Sequence, residues 1–247
     1  MGTQIQSTNE PGATTFGLPR VGGACAIAYV LLVIVVLILL GALDLLQTDL
    51  SADEVLTRLD EDRGLALTTG WLFVLAPFPL AVAGLAMFNL IRRAGSWTLI
   101  APVAFVGGSL LALIRNVLLV AMADELAPAY AAANPDERSE LAAVGDTMLS
   151  YGYVIGDVLG GVLAGGAGVG LFSLAILVTG LAPRWVGWLG LAAAIGGGLL
   201  TPLAPTTALV EALNAVGGLA FFLWMIVIGA VLWRSGEPTA HEDRRIG

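Results

Sequence analysis

The chain has 247 residues, 57% of them hydrophobic and 12% charged, with a mean hydropathy of +0.89. A soluble globular domain carries about 25% charged residues, so that class is excluded; so are disorder, a collagen-like repeat and, with one cysteine, a disulfide scaffold. The net charge is −8, and a chain with no basic run has no electrostatic footprint for nucleic acid.

What remains is an all-α, polytopic membrane helix bundle. Residues 1–19 are polar and rich in Thr, Ser, Gly and Pro, and are expected to form a disordered tail. A charge-free run then extends from Val21 to Leu43, long enough to cross ~30 Å of hydrocarbon as a helix. It is too long for a removable signal peptide, and Cys25 precedes the apolar run, which is the wrong order for a lipoprotein cleavage site. Further apolar runs give six expected spans, at 21–45, 66–91, 98–123, 155–181, 186–204 and 208–233. They make up a transmembrane domain over 20–234, followed by a second tail over 235–247.

The connections alternate in charge. The first carries Asp49, Asp53, Glu54, Asp60, Glu61 and Asp62 with two arginines, and the third carries Asp124, Glu125, Asp136, Glu137 and Glu140 with one. The second is Arg92-Arg93, and the fourth holds Arg184. Arg20 precedes the first span and Arg234 ends the last. The positive-inside bias, counted on Lys and Arg, puts both termini and both even loops in the cytoplasm of a plasma-membrane protein. That pattern closes only with an even number of spans. All the basic residues are arginine, which suggests a GC-rich prokaryotic source, actinobacterial or haloarchaeal.

Between the third and fourth spans, Asp136-Glu137-Arg138-Ser139-Glu140 has the acidic composition of a helix N-terminus. Leu141, Val144, Met148 and Leu149 then recur at helical spacing. An amphipathic helix lying on the outer surface near 136–150, ending at Tyr151-Gly152, is expected; one long kinked fourth span starting near 141 is the other reading. In the spans that follow, Gly156, Gly160, Ala164 and Gly168 form a small-residue ladder, and Gly190, Ala194 and Gly198 form another. Such ladders let helix backbones approach closely in lipid.

The stretch Leu181-Ala-Pro-Arg-Trp-Val-Gly-Trp-Leu-Gly-Leu191 is followed by a Gly-rich span, Glu211 and a last helix ending Leu232-Trp-Arg-Ser-Gly-Glu-Pro238. It resembles the domain of unknown function 4386 family of bacterial membrane proteins, best over 160–238. The resemblance implies a six-helix fold and transfers no catalytic residue.

The expected topology assigns depth, since a helix rises ~1.5 Å per residue. Arg115, Asn116, Asp157, Glu211 and Asn214 then all fall in the outer third, with Thr68 and Thr69 beginning the second span on the same side. An ionisable residue inside a membrane is a functional candidate because an unpaired charge there is costly. These seven residues form the candidate ligand site: a polar pocket open outward, built from Arg115, Asp157 and Glu211 and roofed by the surface helix. Against it stand four plainer readings, the first being that Asp157 and Glu211 lie at the water boundary simply as span-flanking residues. In the others, Arg115 snorkels to headgroups, Asp157 caps a helix, or Arg115 and Asp157 form an ion pair that only fixes packing.

No cofactor or metal is expected. Haem needs paired axial ligands, retinal a lysine, a thiol relay a second cysteine, and zinc more ligands than His241 in a tail with Glu242 and Asp243. Asp60-Glu61-Asp62 has the composition of a solvated acidic face. Three functions stay open. The first is binding or passing a small amphipathic molecule, with Arg115 holding an anionic group while Asp157 and Glu211 set its charge state. The second is a structural or assembly subunit, in a homo- or hetero-oligomer, docking through the glycine faces. The third is an intramembrane enzyme acting on a lipid or isoprenoid with Asp157 or Glu211 as general acid.

Overall fold

The computed structural model describes residues 17–47 and 50–235, which are all-helical, with no strand among the described residues. The expected tails lie largely outside them, except that Leu18–Arg20 already belong to the first helix and Ser235 ends the last. Five helices are long and apolar enough to cross a membrane, the mark of a multi-pass membrane protein.

Helix α1 (Leu18–Ala42) starts with proline in its first turn, where the missing N–H costs nothing. Helix α2 (Ala52–Glu61) follows, where sequence reading placed only a loop. Ser51 and Glu54 form a capping box: Ser51 Oγ accepts from the Glu54 N–H, and the Ser51 N–H donates to the Glu54 carboxylate at 2.9 Å. The hydrogen bonds from the Ser51 backbone and hydroxyl hold the Glu54 carboxyl below its ordinary range. The box and the apolar Val55, Leu56 and Leu59 were a legible helix signal.

Helices α3 (Arg63–Leu75) and α4 (Pro77–Ile91) make one rod, interrupted at Pro77. Proline has no N–H to give the carbonyl four residues back, here Phe73. The Phe73 carbonyl accepts instead from the Ala76 N–H at 3.2 Å and from the Asn116 amide at 2.8 Å. Helix α5 (Ile100–Ala121) continues through a π-helical stretch, Met122–Leu126, into α6 (Ala127–Ala132).

The next helix departs most from expectation. No separate surface helix ends at Gly152. Instead α7 (Pro135–Gly152) runs on through π-helical segments Tyr153–Leu159 and Gly161–Val169 into α8 (Gly170–Thr179), a continuous 45-residue helix. Nothing at Gly152 stops it: the Tyr153 N–H still bonds the Leu149 carbonyl, and neither a left-handed residue nor a proline follows. The helix does end at Gly180, whose φ of 67° is the left-handed conformation glycine supplies without steric cost.

Helix α9 (Arg184–Ala194) and a π-helical turn, Ile195–Leu199, are followed by a 3₁₀ stretch, Thr201–Thr206, and then α10 (Ala208–Ser235). Six segments pack in chain order around a ring. Helix α1 lies against α4, α4 against α5, α5 against the glycine-rich part of the long helix, that helix against α9, α9 against α10, and α10 against α1.

The ring has two unlike ends. Met87, Ile91, Leu181, Ala182 and Val231 meet at one, so the turns bearing Arg92, Arg93 and Arg184 gather there with the arginine-bearing ends of α1 and α10. At the other, α2, α6 and the first half of α7 form a helical cap over a second apolar cluster containing Leu56, Leu59, Met122 and Ala127. Arg63 ties the cap together, donating to both the carboxylate and the carbonyl of Asp124 at 2.7 Å. Most of the acidic residues lie at this end.

Candidate functional site

The ring is solid in its arginine-bearing half and hollow in the other. Phe105, Phe172, Trp224 and Met225 are fully buried and fill its centre, with Phe105 and Phe172 in edge-to-face contact at 5.7 Å between centroids. Above this floor lies a cavity of about 890 Å³. Every member of the ring contributes a wall: Tyr29 from α1, Leu80 from α4, Ser109 from α5, Asp157 from the long helix, Ala193 from α9 and Glu211 from α10. The space therefore lies on the bundle axis, at a size typical of small-molecule sites.

Glycine makes both the walls and the space. The long helix gives the cavity two adjacent columns, containing Gly156, Gly160 and Ala164 in one and Asp157, Gly161 and Gly165 in the other. Much of this wall is π-helical, a geometry that recurs at functional sites. Elsewhere the glycines bring backbones into contact. A Cβ on Gly168 would meet the Phe105 backbone at 2.8 Å, and one on Gly196 would meet Gly217 Cα at 2.8 Å. The small-residue ladders are thus consumed by packing within the chain.

Of the seven sequence candidates, Asp157, Glu211 and Asn214 line the cavity together. Asn214 also fastens α9 to α10: its Nδ2 donates to the Gly196 carbonyl and to Thr201 Oγ1, both at 3.0 Å. Arg115 pairs with Asp157, Nη1 to Oδ1, at 2.8 Å, but it does not line the cavity. Its stem crosses Gly152 and Gly156, and its guanidinium lies over the Phe73 ring, 5.8 Å from the centroid, in a separate crevice of about 70 Å³. Arg115, expected to hold an anionic ligand group in the pocket, thus lies beside the cavity wall rather than on it.

Asn116 is spent on the Phe73 carbonyl. Thr68 and Thr69 donate to carbonyls of their own helix, Gly64 and Leu65, and neither reaches the cavity. The expected roof is also absent: α7 packs against α2, α5 and α6, and the long helix joins the cavity wall only from Tyr153.

Sequence reasoning missed Tyr29, Thr201 and Phe221 as wall residues. Tyr29 and Thr201 are polar interruptions of apolar runs, a signal that was present; Phe221 carried none. No group of three or more His, Cys, Asp or Glu side chains capable of holding a metal occurs among the described residues. His241, Glu242 and Asp243 lie outside them.

The family model for Domain of unknown function (DUF4386) matches residues 26–229. The chain belongs to this family. The DUF4386 match starts within α1 and ends within α10, so it covers the whole ring and every residue named on the cavity wall, well beyond the 160–238 stretch that carried the resemblance. No curated protein and no solved structure matches the chain.

Proposed function

We propose that this DUF4386 member is a six-span plasma-membrane protein that binds or passes a small amphipathic molecule through its axial cavity, with both termini cytoplasmic and the cavity open to the outer side. The carrying observation is the cavity itself, polar at Asp157, Glu211 and Asn214 and apolar toward Leu80 and Phe221.

The sixth crossing is assigned to Arg184–Leu199 with the turn that follows. The helical part has 16 residues, ~24 Å, and the 3₁₀ stretch Thr201–Thr206 adds the remaining length. The assignment follows from the path: α8 finishes at the arginine-bearing end, and α10 starts at the acidic one. Orientation follows from the arginine count among the described residues: Arg20, Arg92, Arg93, Arg184 and Arg234 at one end against Arg58, Arg63 and Arg138, set among the acids, at the other. Exposed Trp185, Trp188 and Trp233 at the first end, with Trp71 and Tyr151 at the second, suit the two headgroup levels. Between them Leu31, Ile38, Val103, Val117, Val178 and Leu219 are exposed on the outer wall, as lipid contact requires.

Native mass spectrometry of the full chain, extracted from its own membranes in a nonionic detergent, tests the binding role. The wild type is expected to carry a small-molecule adduct that Ala215→Trp, which fills the cavity wall, loses while eluting as the same folded species. Identical spectra for the two proteins would remove the claim that the cavity is a binding site.

A further inference from the structure

We infer that the cavity selects a cationic amphiphile, a molecule with a positively charged or strongly hydrogen-bond-donating head and an apolar tail. This deepens the reading of the cavity as a binding site and rests on it.

The chain has no lysine, and none of the arginines among the described residues lines the cavity. Asp157 and Glu211 both do. Asp157 is balanced once, by Arg115, through one of its two oxygens; the second accepts no protein hydrogen bond among the described residues. Glu211 takes part in no ion pair and no side-chain hydrogen bond among the described residues. Asn214 spends its amide N–H groups on Gly196 and Thr201, which leaves its carbonyl oxygen as an acceptor. The wall thus offers acceptors and one uncompensated negative charge. An anionic head would find no cation to meet it, whereas a cationic head would meet Glu211 and the free Asp157 oxygen.

The rest of the space sets the tail. Ten residues along α10, ~15 Å, separate Glu211 from Phe221. The wall also holds the apolar Leu80, Ala164 and Phe221, with the Tyr29 ring edge-on to Phe221 at 6.1 Å, while the Ser109 hydroxyl is engaged by the Phe105 carbonyl. A bare hydrated metal cation would gain nothing from this half. An alkyl tail about as long as that ~15 Å separation fits this half of the cavity.

The experiment compares decyltrimethylammonium, decyl sulfate and 1-decanol, each below its micellar concentration, for saturable binding to the full chain in neutral-lipid nanodiscs. Ala215→Trp nanodiscs measure partition into lipid. The ammonium probe is expected to bind at least about tenfold more tightly than the sulfate. Glu211→Gln should remove most of that preference while leaving decanol unchanged. Asp157→Asn, which removes the wall's second carboxylate, should reduce the preference for the ammonium probe as well. Equal or tighter binding of the sulfate, or indifference to Glu211→Gln, overturns the cationic assignment while leaving the binding site standing. If no probe binds above the Ala215→Trp level, the binding site itself falls.

Discussion

Gly217→Ala is expected to prevent the bundle from closing. A methyl at that position would fall on the backbone of Gly196 and Gly197, and the approach is mutual: a Cβ on Gly197 would meet the Gly217 carbonyl carbon at 2.9 Å. Overpacking a core costs about 1–3 kcal/mol when side chains can shift. Backbone cannot rotate away, so the cost here lies at or above about 3 kcal/mol. Two consequences follow. Helices α9 and α10 separate, and the Asn214 bonds to Gly196 and Thr201 that depend on their closeness are lost. The measurement is the yield of monodisperse protein and its melting temperature in detergent. Gly107→Ala is the matched control, because an added Cβ there meets nothing within 4 Å. Its stability is expected to stay level or rise by up to about 1 kcal/mol, through helix propensity alone.

The second large effect concerns the Arg115–Asp157 pair. Each single replacement, Arg115→Ala or Asp157→Ala, strands an opposite charge at membrane depth. The penalty reaches ~2.5–3.5 kcal/mol at the bilayer centre and falls toward the headgroups. Both side chains keep partial access, 44% for Arg115 and 33% for Asp157, so screening trims each single loss to about 2 kcal/mol. The double replacement removes both charges together and should cost less than the sum of the singles, with a coupling of about 1–2 kcal/mol. A melting-temperature cycle in which the two losses simply add would mean that the pair contributes nothing to helix packing.

Apolar runs and arginine-bearing turns made most of the helices and the ring's two unlike ends legible, because length and charge-free composition depend on the bilayer rather than on tertiary contacts. Other features depended on tertiary geometry. Helix α2 carried a local signal, the Ser51–Glu54 box, but its stability comes from packing Leu56 and Leu59 onto Met122 and Ala127 across the chain. The continuity of Pro135–Thr179 reflects the absence of any stop at Gly152, and glycine alone does not decide between a helix end and a helix interior. At the site, position along the helices was legible, and Asp157, Glu211 and Asn214 line one cavity. Azimuth was not inferable: whether Arg115 points to the axis or away depends on how α5 rotates against Gly152 and Gly156. Asn116 illustrates the same point. Its polar group in an apolar run has a structural partner, the Phe73 carbonyl, which lies 43 residues away in sequence.

The position and opening of the cavity are tested most directly by thiol labelling at Ala204, a wall residue beside the 3₁₀ turn. With Cys25→Ala as background, Ala204→Cys should react with a membrane-impermeant maleimide in intact cells, and decyltrimethylammonium should slow the reaction. Arg93→Cys, at the opposite end, should react only after permeabilisation. Labelling of Ala204→Cys that requires permeabilisation, with Arg93→Cys freely reactive from outside, would contradict the orientation and the outward-facing site together.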